Sequence, residues 1–298
     1  MYPQLIQQFL HQHNLPAGYG DDARRWFLPL ATEIALELQA HDHQPLLLGI
    51  NGAQGTGKTT LAELLKLLLQ AQGYNVVTLS IDDFYLSHAA RLALSQSVHP
   101  LFKTRGVPGT HDTKLLTQTL DLLVAAQQSS STALPGFDKA SDDVVPSHNF
   151  AQHKGAPDLI ILEGWCVGIK SQNAADLAEP VNSLETEEDA EGQWRNHVNE
   201  TLQTHYQEIF ARLDKLLMLQ APSFQQVYQW RGLQEEKLRH KAGGAASGVM
   251  DTVQLERFIQ HYERLTRHCL RTLPQEADTV FAINADHRID SRIDASTN

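Results

Sequence analysis

One short stretch constrains the fold of this chain more than any other. Residues Gly52–Thr59 read Gly-Ala-Gln-Gly-Thr-Gly-Lys-Thr, which matches the pattern G-x-x-x-x-G-K-[ST] at every required position. An apolar run over 46–50 precedes it, and a helical pattern over 61–70 follows it. In that context successive backbone N–H groups turn toward one anion at a helix N-terminus. The stretch therefore predicts a loop that binds nucleotide phosphates, in preference to a chance glycine turn before a helix.

Individual residues of this loop have distinct expected roles. Lys58 can reach the outer phosphates of a nucleoside triphosphate, and the Thr59 hydroxyl can ligate Mg²⁺. We therefore expect ATP and Mg²⁺ as cofactors. The predicted nucleotide-binding residues are Gly52, Ala53, Gln54, Gly55, Thr56, Gly57, Lys58, Thr59 and Thr60.

The rest of the chain alternates apolar strand patterns with helical ones. This alternation predicts an α/β fold, a three-layer sandwich of the P-loop NTPase type with a central, mainly parallel sheet and a helical lid. We expect one domain over 1–298, with a helical N-terminal extension over 1–45. The predicted strands are 46–50, 76–80, 158–163, 216–219 and 279–283.

Two segments outside this alternation carry their own interpretation. In the N-terminal extension, Trp26, Leu30, Ile34 and Leu38 recur at a spacing of four, which predicts a packing face against the sheet. The insertion 171–193 contains no lysine or arginine to balance six of its acidic residues, which are Glu179, Glu185, Glu187, Glu188, Asp189 and Glu191. We interpret it as a solvated excursion, with an acidic docking site as the alternative.

Composition excludes several classes of protein. The 298 residues carry a formal charge of −11 without any block of lysine and arginine, so we expect no extended nucleic-acid surface. Two cysteines in so long a chain predict no disulfide framework. The start lacks the pattern of a secretory signal, and no run of about 18 apolar residues could span a bilayer. We expect a cytoplasmic protein that contacts no membrane.

Ligands of parallel sheets bind beyond the carboxyl ends of the strands. This rule brings Gly52–Thr59, the Asp82-Asp83 pair and Glu163 to one edge, because each follows a predicted strand. Asp82 or Asp83 could take a proton from an acceptor hydroxyl while the other caps the following turn. Glu163 could bind Mg²⁺ through water, or it could simply cap its own turn.

A basic helix end adds possible cations. Arg231, Lys237, Arg239 and Lys241 lie beside the glycine-rich joint 243–248. A lid over about 230–250 that brings arginines onto the phosphates would exclude water. The alternative is a solvated basic helix end.

Several stretches resemble the D-glycerate 3-kinase family, over about residues 46–290. The most specific is Arg105–Asp112 (Arg-Gly-Val-Pro-Gly-Thr-His-Asp) combined with Asp82–Tyr85 (Asp-Asp-Phe-Tyr). Phe137-Asp138-Lys139, Leu162–Trp165 and Trp230-Arg231 add to it. Uridine kinase, phosphoribulokinase and bacterial pantothenate kinase are similar in the wider sense.

This resemblance implies roles for residues. It favours Asp82 over Asp83 as the acceptor-side base, and it implies that Lys58, Arg231 and Arg239 assist the transfer. Residues 140–145 contain no arginine, although the resemblance leads us to expect one there. The residues expected to bind the acceptor are Asp82, Tyr85, Arg105, His111, Asp112 and Lys139.

The expected function is a Mg²⁺-ATP-dependent kinase for a small, hydroxylated, acidic acceptor, with the 3-hydroxyl of D-glycerate first. A nucleoside or a pantothenate-like acceptor is the alternative within the same class. A nucleotide-dependent regulatory ATPase is the alternative from another class, although a switch needs no second pocket.

Overall fold

The computed structural model describes residues 1–40, 44–241 and 252–295, without the side chains at 234, 235, 237–241 and 252. Within these ranges the main sheet has six strands, which are β1 Leu46–Gly52, β2 Val76–Ser80, β7 Leu159–Gly164, β8 Lys215–Gln220, β9 Thr279–Ile283 and β10 Ile289–Asp294. Their order in the sheet is β10-β9-β8-β1-β7-β2. All neighbours pair in parallel except the edge strand β10, which runs antiparallel to β9.

Helices cover both faces of this sheet. Every residue of β1 and β7 is buried, as expected for central parallel strands with covered faces. The predicted α/β fold with a mainly parallel sheet is therefore confirmed. The helices are α1 Tyr2–Gln12, α2 Ala17–Asp22, α3 Leu28–Ala40, α4 Lys58–Gln70, α5 His88–Ser97, α6 Thr113–Val124, α7 Ser183–Glu188, α8 Gln193–Thr201, α9 Gln207–Phe210, α10 Phe224–Lys241 and α11 Thr252–Thr272.

The N-terminal helices pack on the same face of the sheet as α4. Leu30 and Ile34 are fully buried there, in one apolar cluster with Leu61 and Leu65 of α4. Trp26 and Leu38 pack at the margin of this cluster. The predicted packing face of the extension is confirmed, and the opposite face of the sheet has its own apolar cluster, to which α6, α8 and α11 contribute.

Two small antiparallel sheets of two strands each were not predicted from the sequence. β3 (Ser131–Leu134) pairs with β6 (Ala151–Lys154), and β4 (Phe137–Asp138) pairs with β5 (Asp143–Val144). Strands of two to four residues are too short to show the alternation that identifies a strand in sequence. The β4–β5 hairpin matters for function, because its loop lies beside the candidate active site.

The interpretation of 171–193 as a solvated excursion is wrong for Glu185 and Asp189, whereas its other acidic residues are exposed as expected. Glu185 is completely buried and pairs with Arg264 of α11 at 2.6 Å. Asp189 is 3% exposed and pairs with Arg195 of α8 at 3.0 Å. The balancing arginines lie outside the insertion, so a local charge count missed them. The insertion is a folded element, and Glu185 holds it against α11.

The lid prediction falls partly outside the described residues. Helix α10 occupies the expected place, and α11 follows at residue 252. The side chains of Lys237, Arg239 and Lys241 and the joint 243–248 lie outside the described part of the chain. Among the described residues no helix is long and apolar enough to cross a membrane.

Candidate active site

The phosphate loop joins the end of β1 to the start of α4. Gly57 adopts φ +87°, a left-handed conformation that favours glycine. At Gly52 a Cβ atom would come within 2.4 Å of the Thr56 Oγ1 atom, so a side chain is excluded there. The Thr56 hydroxyl in turn donates to the Ala53 carbonyl at 2.8 Å. These contacts fix a tight loop at the N-terminus of a 13-residue helix, where an anion is favoured.

A hydroxyl and a carboxylate face each other beside this loop. Thr59 Oγ1 donates to Glu163 Oε1 at 2.8 Å. Glu163 is 2% exposed, and its other oxygen, Oε2, has no hydrogen-bond partner among the described residues. A buried carboxylate oxygen without a donor is costly, so this oxygen requires a cation or water. Hydroxyl and carboxylate oxygens are the ligands that Mg²⁺ prefers, and the two residues therefore fit that ion.

Asp82 lies just past the end of β2, in a 3₁₀ turn over Ile81–Phe84. The Tyr85 hydroxyl donates to its Oδ1 at 2.9 Å, and Lys139 Nζ donates to its Oδ2 at 2.7 Å. Burial alone would raise the pKa of Asp82, but the charges of Lys139 and Lys58 outweigh it and lower the pKa to about 2. Asp82 is therefore ionised and lies within the field of the phosphate-loop lysine.

The neighbouring Asp83 has a different environment. Burial raises the pKa of Asp83 to about 6, and the charge of Asp82 adds to that rise, although the backbone N–H of Phe137 opposes it. Lys58 is a cause of the pKa shift of Asp82 and is not among those of Asp83. Asp82 therefore lies within the influence of the Lys58 charge, whereas Asp83 accepts the backbone N–H of Phe137 in the β4–β5 hairpin.

His111 forms a buried wall next to Asp82. Its ring stacks on Tyr85 with centroids 4.5 Å apart, and its Nδ1 lies 2.6 Å from the Tyr206 hydroxyl. That hydroxyl also accepts the Gly109 N–H, and if it donates its own proton to Nδ1 the imidazole proton is on Nε2. Nε2 is buried and has no partner in the described chain. Burial lowers the pKa of His111 to about 4, so the ring is neutral at pH 7.

Three other predicted acceptor residues have partners within the protein. Asp112 is the N-cap of α6, and its Oδ1 accepts the Leu115 N–H at 2.9 Å. Hydroxyl binding by Asp112 stays a prediction and would have to use the other oxygen. Arg105 forms an ion pair with Asp142 of the β4–β5 loop. Lys139, the third, bonds Asp82 as described above.

Tyr262 of α11 is a member of the site that sequence reasoning missed. Its hydroxyl donates to the Arg105 carbonyl at 3.1 Å, and its ring meets Trp165 edge-on at 5.0 Å. Gly106 lies directly beneath it, because a Cβ there would come within 2.0 Å of the Tyr262 hydroxyl. The glycine in the Arg105–Asp112 stretch was the available signal, but nothing in the sequence indicated its partner.

Arg231, the predicted lid cation, lies on α10 with its guanidinium carbon 5.8 Å from the Phe258 ring centroid. Burial and the charge of Asp82 raise the pKa of Tyr262, while Arg105 and Arg231 oppose that rise. Arg231 therefore lies on the same side of the molecule as Asp82 and Arg105. Whether Arg239 joins it stays a prediction.

A parallel sheet with this loop at the end of its central strand defines a P-loop nucleotide-binding protein. The polar side chains around Asp82 lie close to that loop, because the charge of Lys58 lowers the pKa of Asp82. Both features are typical of small-molecule kinases.

No protein-family model matches the chain. It is 33% identical over 232 residues to the uncharacterized kinase mug58 of Schizosaccharomyces pombe, covering 74% of this chain and 79% of that protein. It is 30% identical over 261 residues to the chloroplastic D-glycerate 3-kinase of Arabidopsis thaliana, covering 82% of this chain and 53% of that protein. The solved D-glycerate 3-kinase of Cryptococcus neoformans has a TM-score of 0.73 at 24% identity, covering 91% of this chain and 99% of that one.

The chain belongs to the family of P-loop kinases that includes these relatives. The resemblance noted in the sequence is thereby confirmed, as are a phosphotransferase activity and dependence on ATP at the level of the family.

Proposed function

We propose that this protein transfers the γ-phosphoryl group of ATP to the 3-hydroxyl of D-glycerate, giving ADP and 3-phosphoglycerate. The observation that carries the proposal is the ionised Asp82, which Lys139 and Tyr85 hold and which lies close enough to Lys58 of the phosphate loop for the lysine charge to lower its pKa. A carboxylate in that position can take the proton of an acceptor hydroxyl while the oxygen attacks phosphorus.

The donor half of the cleft is assigned to the phosphate loop. Backbone N–H groups of Gly52–Thr59 hold the phosphates, and Lys58 contacts the outer ones. Thr59 and Glu163 would hold Mg²⁺, which supplies charge neutralisation on the triphosphate when bound. The buried Oε2 of Glu163, which has no hydrogen-bond partner among the described residues, supports this assignment.

The acceptor half is assigned to residues of three other elements. Asp82 serves as the base, and Tyr85 and Lys139 orient its two oxygens. Nε2–H of His111 is a donor for an acceptor oxygen. Arg105 offers a cation to a carboxylate, which favours an acidic acceptor over a neutral one.

The arginines of α10 complete the proposal. Arg231, with Arg239, would cover the moving phosphoryl group after nucleotide and acceptor have bound. Such coverage stabilises the charge of the transition state and excludes water, which suppresses hydrolysis of ATP.

An acceptor panel tests the proposal. Purified protein is incubated with ATP and Mg²⁺ and with D-glycerate, a nucleoside, pantothenate, a sugar phosphate or no acceptor, and ADP release is measured together with the phosphorylated product. We expect 3-phosphoglycerate and ADP in equal amounts with D-glycerate. Transfer to another acceptor alone would reject D-glycerate, and ATP hydrolysis indifferent to every acceptor would reject a small-molecule kinase.

A further inference from the structure

Two arginines and one aspartate form a row of two ion pairs beside the proposed acceptor residues. Asp142, in the loop of the β4–β5 hairpin, pairs through Oδ2 with Arg91 at 2.9 Å and through Oδ1 with Arg105. This loop is the segment where the sequence resemblance led us to expect an arginine. In the structure, Arg91 of α5 contacts this loop, and the Asp142 carboxylate lies between the guanidinium groups of Arg91 and Arg105.

Arg91 is the buried end of this row of ion pairs. It is 1% exposed, and its guanidinium donates to the carbonyls of Leu86, Lys103 and Asp142 at 2.8 to 3.1 Å. All three of its nitrogens are thus used, so Arg91 cannot receive a ligand. Its role is to hold Asp142 in place. Asp142 has φ +55°, a left-handed backbone conformation that aspartate tolerates.

Arg105 is the end of this row that solvent and a ligand can reach. Its side chain is 25% exposed, and among the described residues its guanidinium donates only through Nη1, to Asp142. The guanidinium carbon lies 5.6 Å from the Phe137 ring centroid, and Tyr262 holds the backbone carbonyl. With one nitrogen anchored, the edge formed by Nε and Nη2 stays available. That edge has the geometry to bind a carboxylate through two parallel hydrogen bonds.

The same pocket contains another cation, Lys139, but its position suggests a different task. Lys139 bonds Asp82, the proposed base, and is 59% exposed. An ammonium is a point charge without the planar fork of a guanidinium. Arg105 is therefore the better receptor for a carboxylate, and its orientation depends on Asp142.

We propose that Asp142, held by Arg91, is a positioning residue that turns the Nε/Nη2 edge of Arg105 toward the carboxylate of the acceptor and so selects acidic acceptors. The proposal rests on the proposed kinase function and specifies which residues recognise the acid. Asp142 acts through Arg105 and touches neither substrate.

The test compares Asp142→Ala with wild type, using D-glycerate and its uncharged analogue glycerol as acceptors. We expect KM for D-glycerate to rise about tenfold or more, because the anchored rotamer of Arg105 is lost. The values of kcat, KM for ATP and kcat/KM for glycerol should stay within about twofold, because those steps do not use Arg105. A merely structural role would change all four parameters together, and such a result would overturn the proposal.

Asp143→Asn is the matched control. Asp143 follows Asp142 directly as the first residue of β5, and its carboxylate accepts the N–H groups of His88 and Val144. We expect its KM for D-glycerate to equal that of wild type. Asp142→Asn, which keeps the shape of the side chain and loses its charge, should fall between wild type and Asp142→Ala.

The outcomes separate this proposal from the proposed function. If wild-type protein phosphorylates D-glycerate and Asp142→Ala leaves its KM unchanged, the positioning role alone is refuted. A lower KM in Asp142→Ala would mean that Asp142 competes with the acceptor for Arg105, and it would also refute the proposal. If wild-type protein phosphorylates no acidic acceptor, both proposals fail.

Discussion

Replacing Asp82 and Asp83 by asparagine, one at a time, should change stability in opposite directions. The pKa of Asp82 lies at about 2, below its ordinary value of 3.8, which corresponds to about 2 kcal/mol in favour of the folded state. This contribution is fully present above pH 3.8 and is lost as the pH falls through about 2. Because asparagine resembles the protonated acid, Asp82→Asn should lose about 2 kcal/mol at pH 7.

The opposite sign applies to Asp83. Its pKa of about 6 lies above 3.8, which corresponds to about 3 kcal/mol against the ionised form, reduced to about 2 kcal/mol by solvent screening of a partly exposed side chain. The stabilisation of the protonated form is fully present below pH 3.8 and is lost as the pH rises through about 6. At pH 7 Asp83→Asn should therefore be about 2 kcal/mol more stable than wild type.

Urea unfolding at pH 7 and at pH 5 measures both effects, and steady-state kinetics assign the base. Asp82→Asn should lower kcat by about 10²–10⁴ and leave ATP binding unchanged, since a general base contributes a factor of that size. Asp83→Asn should keep kcat within about tenfold. A destabilised Asp83→Asn would refute the electrostatic reasoning, and near-normal turnover of Asp82→Asn would assign the base to another residue.

Three further substitutions test other parts of the structure. Glu163→Gln should raise the Mg²⁺ concentration for half-maximal activity about tenfold, measured by Mg²⁺ titration at fixed ATP, because an amide is a weaker ligand. Arg264→Met should destabilise the fold by about 3–5 kcal/mol in urea unfolding, because it leaves the buried carboxylate of Glu185 without its ion-pair partner. Gly106→Ala should raise the acceptor KM and spare that of ATP, since its Cβ would displace the Tyr262 hydroxyl.

Each of the three has an outcome that contradicts it. An unchanged Mg²⁺ dependence in Glu163→Gln would remove that residue from the metal site. For the buried ion pair, the exposed pair of Arg257 with Glu188 is the control, and Arg257→Met should cost less than about 1 kcal/mol. Equal losses in the two arginine variants would mean that burial of the pair is unimportant. An unchanged acceptor KM in Gly106→Ala would exclude Tyr262 from the pocket.

The phosphate loop and five of the six strands of the main sheet could be predicted from sequence because their signals are local. Residues 46–70 contain strand, glycine loop and helix in one continuous stretch, so the backbone geometry and the residue types agree there. The convergence of Asp82 and Glu163 at one edge also followed, because a parallel sheet places all its carboxyl ends together.

The acceptor side could be predicted only in part. Arg105, His111 and Lys139 were expected there, yet their partners were not. Tyr206 reaches His111 across 95 positions, and Tyr262 reaches the Arg105 carbonyl across 157. No periodicity or spacing in the sequence encodes contacts over such separations.

The sequence by itself determined the fold class, the phosphate loop and the strand-end carboxylates, because each depends on neighbouring residues and on a general rule of sheet topology. Only the tertiary structure decided which charges meet. It placed Glu185 against Arg264, 79 positions away, and so fixed part of the acidic segment 171–193 against α11. It likewise placed Asp142 between two arginines. A buried charge is stable only beside a partner, and the chain path through space selects that partner.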